Sequence, residues 1–556
     1  MPELWPFTAH GTATEVLDWR TDVLQSQSRE QRISLRSVPR EILTLRHRLD
    51  GSGIAAAADL ARRGMADDWI VPLWMMAEPS NVALSAAETI VPVSAAQADY
   101  RAPGFVVLAT AGGGAHLLEV AGVRADGIDL LTPLGVDLAH PIVAPARRAR
   151  LLTPLEIERR HAGLGIVTAR FLLQDSADLS GLRGVALYIA IDASTSMSGA
   201  KIAAAMAAVK ALVEELGTTV PPVLRNDICV VFWNATVTGV RLYRDADRSD
   251  LASLADWLTA PVALGGATDF EVALSQAPDF FSGAGAKRRI VLFLTDGEPH
   301  PAGSVDAAVT LRDTIDHLEV FGFNIGLTNT AYTARLDNTG VDGVPIIASG
   351  DTDALRDTLL GTLLGLVRYS GQDVLIDPSL VRQPLPETVA QAFEAVDSGL
   401  GPIVLEPLRD LVERGSVLSL YDTGLAECWS RRRWLHSLRG RQRAFWLPTW
   451  GRELVLQAPV TSSDTSVFVA ALADPGAWTG RHVMFDIASG PVVRQITNVV
   501  FDALGLKLTI AAPGKNIPVT TPIHLLTKVR LDTDRIELEH FGNRSEFAAS
   551  VIEIPA

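Results

Sequence analysis

The strongest constraint on this chain is an apolar run, Val185 to Ile191, that stops abruptly at Asp192-Ala193-Ser194-Thr195-Ser196. A strand that carries a carboxylate and two hydroxyls at alternate positions to its carboxyl end builds an oxygen-only cation site, in the crevice where open α/β sheets bind ligands. Two further pieces follow: Gly265-Gly266-Ala267-Thr268-Asp269, and Leu294-Thr295-Asp296-Gly297-Glu298 after a second apolar run from Ile290. The plainer reading of the first piece is that Asp192 and Ser194 cap a helix without any metal, since both residue types favour caps and turns.

From Gly184 to Val367 apolar strands alternate with amphipathic helices. Strands are expected over Val185–Ile191, Asp227–Val237, Arg289–Leu294, Val320–Gly326 and Val344–Ala348. Helices are expected over Lys201–Leu216, Asp250–Leu258, Thr268–Phe281, Val305–Glu319 and Thr352–Leu366. That alternation predicts a mostly parallel, doubly wound sheet covered by helices on both faces. Oxygen donors with no His or Cys nearby select a hard cation, Mg²⁺ first, with Mn²⁺ or Ca²⁺ as alternatives.

These three pieces resemble the metal-ion-dependent adhesion site of von Willebrand factor A domains. The resemblance implies that Ser194 and Ser196 bind the ion directly, Thr268 directly or through water, and Asp192 and Asp296 mostly through water. Few direct anionic ligands leave the ion electrophilic, with a position open to a partner's carboxylate. It implies binding and not catalysis.

At 556 residues the chain exceeds one core, and a formal net charge of -15 argues against nucleic-acid or anionic-membrane partners. The local basic clusters, Arg147-Arg148 with Arg150 and Arg431-Arg432-Arg433, read as solvated rims or intramolecular ion pairs. Cys229 and Cys428 imply no disulfide framework, and Cys229 is expected to be a small core residue. The amino terminus lacks the pattern of a signal peptide and no apolar run is long enough to span a bilayer, so synthesis and folding in the cytoplasm, without membrane insertion, are expected.

The flanks of the middle segment look related to each other. Arg63-Gly64, Trp69, Val71-Pro72 and Trp74 recur at the spacing of Arg439-Gly440, Phe445, Leu447-Pro448 and Trp450. Phe105-Val106-Val107 parallels Val483-Met484-Phe485, Gly127–Leu130 parallels Gly505–Leu508, and Pro-led strands at Pro141 and Pro522 close each copy. Short strands with Gly, Pro and Asp punctuation predict a small β-sandwich or barrel in each flank, with helices over Ala55–Arg63 and Ala426–Leu438. The tryptophans near Trp434 and Trp446 read as core anchors or as an exposed assembly patch.

The opening Trp5-Pro6-Phe7, Glu15 to Leu24 and Leu35 to Arg40, together with Trp434 to Pro448, resemble tail proteins of long-tailed bacteriophages. The implied architecture is a scaffold domain at 1–170, a von Willebrand factor A domain at 180–368 inserted into it, and a second scaffold domain at 372–556 that is a pseudo-repeat of the first. Arg170–Leu173 and Asp373–Ile376 are expected to pair as neighbouring strands, bringing the ends of the insertion together. The implied role is structural, in a tail tip or baseplate of the virion, made in the host cytoplasm. Other tail proteins and a host receptor offering a carboxylate are the implied partners, and the implied assembly is a cyclic homo-oligomer, a trimer or hexamer. The alternative is an intracellular assembly protein partnering an ATPase, although no phosphate loop occurs in the chain itself. An enzyme is not expected: there is no Gly-x-Ser-x-Gly elbow, no His-Glu-x-x-His and no set of nucleophile, base and orienting group. Glu298 beside Pro299 and His300 reads as a loop on the edge of the metal face.

Overall fold

The computed structural model describes the chain except residues 1–2, 26–29, 37, 64–66, 95–96, 111–113, 125–126, 162, 178, 180–184, 218–225, 286, 327–328, 340–343, 377–386, 391–392, 398, 400–402, 408–412, 452, 471–474, 489, 504 and 555–556. Gly64 and Gly184 of the sequence reading therefore lie outside the described residues. Within them no helix is long and apolar enough to cross a membrane.

Residues from Val185 to Leu364 form a six-stranded sheet in the order Val237–Ala246, Asn226–Trp233, Val185–Asp192, Arg288–Thr295, Leu318–Ile325, Ile346–Ile347. All pairs are parallel except the first. Val185–Asp192 is buried at every position because both faces of the sheet are covered. Leu187, Ile189 and Ile191 pack under the helices Ala200–Gly217, Arg248–Trp257 and Thr352–Leu364. Ala186, Tyr188 and Ala190 pack on the opposite face against Phe270, Ala273, Phe281 and Val305. Cys229 sits in that second layer, and burial pushes its thiol up to about 12, the behaviour of a core residue.

Three of the expected elements differ, the first being the helix expected over Val305–Glu319, which ends at Asp313 before the strand Leu318–Ile325. Asp227–Val237 is not one strand: the chain turns at Asn234, whose Oδ1 accepts from the Thr236 amide at 2.9 Å, and Val237–Ala246 returns antiparallel as an exposed edge. Thr268–Phe281 is two short helices, Phe270–Leu274 and Ala277–Ser282, the second with proline at its amino end, where a missing N–H costs nothing.

Each flank has a buried cluster of its own beyond its helix, around Val106 and Ile128 in one and Val467 and Leu508 in the other, yet the two flanks also join. Their strands run on as one antiparallel sheet, in the order Glu156–His161, Leu164–Leu173, Arg40–Asp50, Thr12–Asp18, Arg535–Phe541, Arg544–Glu553, Glu413–Thr423, Glu387–Ala390. The first four strands come from the amino-terminal flank and the last four from the carboxyl-terminal flank. A free edge of N–H and C=O groups is costly to leave open, and pairing Thr12–Asp18 with Arg535–Phe541 closes one on each flank. The joint also shares a core: Leu17 and Trp19 are buried with Ile536, Leu538, Trp434 and Phe445. Trp446 is likewise buried, and its Nε1 donates to the Tyr369 carbonyl at 3.0 Å, so these aromatics anchor the core.

Beyond those eight strands the pairings also recur. Trp69–Pro72 pairs with Ile142–Leu151 as Ala444–Pro448 pairs with Ile523–Leu531. Glu3–Leu4 lies parallel to Trp69–Ile70 as Asp373–Val374 lies parallel to Phe445–Trp446. By register the counterpart of Phe105 is His482 and not Val483, a slip of one residue from the sequence match. Trp74 opens a 3-10 turn, whereas Trp450 has a left-handed backbone (φ 48°), so the two follow equivalent strands in different conformations.

Arg170–Leu173 and Asp373–Ile376 do not pair with each other. The first already has Arg40–Asp50 on one side and Ile142–Leu151 on the other, leaving no ladder edge for the second. The ends of the middle domain meet on a helix instead, Leu425–Leu438. The Leu179 amide donates to Nδ1 of His436 at 3.4 Å, and Ser437 Oγ donates to Asp373 Oδ2 at 3.0 Å. Adjacent residues of a rigid helix thus fix both ends, and a linker of a few residues spans them. Replacing residues 180–368 with a short Gly-Ser linker is therefore expected to leave a soluble scaffold with a β-rich circular dichroism spectrum and one cooperative melt. Loss of ordered β structure would mean the flanks depend on the insertion for folding.

Candidate metal centre

The central strand ends at Asp192, and parallel register sets Ile191 beside Leu294, so Thr295 and Asp296 arrive at the same sheet edge. Connections leave Val185–Asp192 toward Asn226–Trp233 on one side, while Arg288–Thr295 lies on the other, which opens a crevice between the two strand ends. Asp192 is fully buried. Its Oδ1 accepts from the Ser194 amide at 2.8 Å and its Oδ2 from Thr295 Oγ1 at 2.7 Å. Ser194 is extended, the Thr195–Met197 turn is 3-10, and Gly199 (φ 74°) bends the chain into the helix Ala200–Gly217.

Ser196 Oγ donates to Asp296 Oδ1 at 2.7 Å and lies 2.9 Å from Ser194 Oγ. A hydroxyl has one hydrogen, and that of Ser196 is committed to Asp296, so Ser194 is the donor in the second contact. Lys201 Nζ bonds the other oxygen of Asp296 and, at 3.3 Å, the Ser196 carbonyl. Thr268 packs on Gly297, the residue after Asp296, and needs no side chain there: a Cβ would stand 2.8 Å from Thr268 Oγ1. The loop bearing Thr268 is tied to the strand ends by the Gly265 amide on the Ala193 carbonyl (3.1 Å) and the Asp269 amide on the Asn234 carbonyl (3.4 Å).

All five residues singled out in the sequence, Asp192, Ser194, Ser196, Thr268 and Asp296, therefore converge. Thr295, which holds Asp192, and Lys201, which holds Asp296, were not singled out. Thr295 was readable from the register that any parallel neighbour of the central strand must adopt. Glu298 is exposed and its Oε1 accepts from Asn329 Nδ2 at 2.9 Å.

The donor set fits a hard cation. Asp296 has Lys201 for a countercharge, but the buried Asp192 carboxylate has only hydroxyl and amide partners among the described residues. Burial pushes its carboxyl from 3.8 to about 6, against the bonds from Thr295 and Ser194, and the neighbouring Asp296 charge adds to the rise. A carboxylate so placed gains most from a metal ion. Among the described residues no three His, Cys, Asp or Glu side chains group to hold a metal, and here the hydroxyls of Ser194, Ser196 and Thr268 make up the number.

A family model described as the von Willebrand factor type A domain matches residues 186–355, so the chain contains such a domain, with both flanks outside the match. No curated protein matches the chain. Among solved structures it is similar to BatB, a conserved hypothetical protein of Bacteroides thetaiotaomicron (17% identity over 32% of this chain and 95% of that one, TM-score 0.26). It is also similar to the mussel byssus proximal thread matrix protein 1 with a zinc-occupied MIDAS motif (14% identity, 33% and 46%, TM-score 0.27), of which it spans less than half. A third likeness is to a von Willebrand factor type A protein of Catenulispora acidiphila (14% identity, 66% and 66%, TM-score 0.26).

Proposed function

We propose that this chain is a structural component of a long-tailed bacteriophage tail tip or baseplate, whose von Willebrand factor A domain grips a carboxylate on the host surface or on a neighbouring tail protein through a divalent cation. The observation that carries the cation is the convergence of two carboxylates and three hydroxyls at one sheet edge, with Asp192 buried and lacking a cationic partner among the described residues. Ser194 and Ser196 would hold the ion directly, Thr268 directly or through water, and Asp192 and Asp296 from behind. Mg²⁺ is the first choice, with Mn²⁺ or Ca²⁺ acceptable to the same oxygens. The bound cation supplies a Lewis-acidic position for an incoming carboxylate, and no residue is assigned a catalytic role.

The scaffold reading draws on the tail-like segments, two of which share a core: Leu17 and Trp19 are buried with Trp434 and Phe445. A cyclic homo-oligomer, trimeric or hexameric, in the virion tail follows from that reading. Immunogold labelling with antibodies to residues 186–355 tests it on particles released by the encoding bacterium. Gold is expected at the tail end, and label confined to the cell interior would favour an assembly module working beside an ATPase.

The titration of Asp192 sets the pH dependence of the site. A proton on this carboxyl competes with the metal, so affinity is expected to be nearly flat from pH 7 to 8 and to fall by about tenfold per unit below pH 6. Calorimetric titrations of Mn²⁺ at several pH values check this, and flat affinity down to pH 5 would remove Asp192 from the site.

A further inference from the structure

The eight strands through which the flanks join are two series of four in the same order. In the first series Leu172 faces Ile42 and Leu164 faces Asp50; in the second Ile552 faces Gly415 and Arg544 faces Thr423, over the same span. Glu15 faces Leu43 as Glu387 faces Ser416, and Ile157 faces Val167 as Leu538 faces Phe547. The last strand of the first series, Thr12–Asp18, is zipped to the first strand of the second, Arg535–Phe541. One strand of each kind remains at the outer edges of the sheet: Glu156–His161, counterpart of Arg535–Phe541, and Glu387–Ala390, counterpart of Thr12–Asp18. Among the described residues each pairs with one neighbour only.

Exposure follows the same division. Ile536, Leu538 and His540 are buried at the internal joint, whereas Glu156–His161 is exposed at every position, Ile157 by 37%. The hairpin that follows Thr12–Asp18 reaches Ile523–Leu531, the strand that pairs beside the second series, where Glu30 takes two bonds of 2.8 Å from the buried Arg530. Its counterpart, Phe393–Val396 with Val404–Pro407, leaves Ile403, Val404 and Leu405 each more than half exposed. Arg150, which holds the register of Arg530, is half exposed.

We propose that Glu387–Ala390 of one chain pairs antiparallel with Glu156–His161 of a second copy, repeating between chains the joint that Thr12–Asp18 makes with Arg535–Phe541 inside one. The internal register, Glu15 opposite Leu538 and Val16 opposite Glu537, transfers to Glu387 opposite Ile157 and Thr388 opposite Glu156. The joint is head to tail, so each added copy presents the same pair of edges until a ring closes. The exposed hairpin then lies over the strand beside the first series of the neighbouring chain, covering Ile403 to Leu405. This names the contact surface of the oligomer put forward above and rests on that oligomer existing.

The full chain carrying Ile157→Cys and Glu387→Cys in a Cys428→Ser background tests the joint, with a short bis-maleimide as cross-linker. Directly opposed residues stand about 5 Å apart at Cβ, within reach, whereas seven strand spacings separate the two positions within one chain, on the order of 30 Å. A ladder of covalent multimers is expected on a denaturing gel from the double variant and not from either single variant. Light scattering on the unsubstituted chain separates the failures. A multimer without the ladder overturns this joint and leaves the oligomer, and a monomer at every concentration overturns both. Glu156→Cys with Thr388→Cys repeats the test should circular dichroism show the first pair misfolded.

Discussion

Asp192→Asn is expected to weaken Mg²⁺ or Mn²⁺ binding by about 10–100-fold, as loss of a group that orients direct ligands does, while making the metal-free protein more stable. Asparagine keeps the shape and can still accept the Ser194 amide, but it carries no charge into the buried site. The sign follows from the titration. The folded carboxyl ionises at about 6, above its ordinary 3.8, so its charged form opposes folding. That cost is absent below pH 4, grows between the two values, and is complete above pH 6 at about 3 kcal/mol. At pH 8 the metal-free variant should therefore melt at higher temperature than the parent, and near pH 4 the two should coincide. Saturating metal should narrow the gap by about 1.4–2.7 kcal/mol, the 10–100-fold difference in affinity, because it stabilises the parent more than the variant. Ser194→Ala, which removes a proposed direct ligand, should abolish binding with the fold intact. Unchanged binding in both variants would sink the site.

The middle domain was largely readable because its information is local. Each buried strand is a short apolar run, each helix an amphipathic stretch, and the cation-site residues lie where such strands end. What escaped was set by contacts distant in sequence or by weak local signals. Val237–Ala246 alternates polar and apolar residues at an exposed edge, so it carries no apolar run to separate it from the strand before it. Lys201 is an ordinary helix residue until the fold sets it against Asp296. In the flanks the local pieces were readable but their partners were not. Nothing near Thr12–Asp18 says that its second neighbour is Arg535–Phe541, and the match of Phe105 with Val483 slipped because short apolar runs align equally well one residue apart. In the basic clusters Arg147 and Arg432 make buried ion pairs whose partners lie far along the chain, so a local run of arginines does not tell a solvated rim from an ion pair.

Arg432→Met is expected to cost roughly 3–5 kcal/mol, the penalty of leaving buried charge without its partner. Arg432 comes from the carboxyl-terminal flank, yet its guanidinium bonds Glu15 at 2.7 and 2.8 Å and both Glu41 and Asp99 at 3.2 Å, all on the amino-terminal flank. Arg147 bonds Asp99 at 2.6 Å and Glu41 at 3.2 Å, and Arg101 bonds Asp99 at 2.7 and 2.8 Å. Three buried acids are thus matched by three guanidiniums, and the substitution leaves one negative charge in excess at the seam between the flanks. Burial alone would raise the Glu15 carboxyl; Arg432 and then His540 more than offset it and hold it well below the usual carboxylate range. In the parent, Glu15 therefore contributes stability that is fully present at neutral pH and is lost only as pH falls through its depressed folded value. Without Arg432 the push from burial is no longer offset, and the ionised Glu15 opposes folding. The deficit of the variant, followed by denaturant unfolding, should be largest near pH 8 and narrow toward pH 4, and adding Glu15→Gln should recover part of it at neutral pH. Calorimetry should place the loss in the scaffold transition, with the von Willebrand factor A domain melting as before. A deficit constant from pH 8 to pH 4 would mean that Arg432 contributes through the packing of its aliphatic stem and not through its charge.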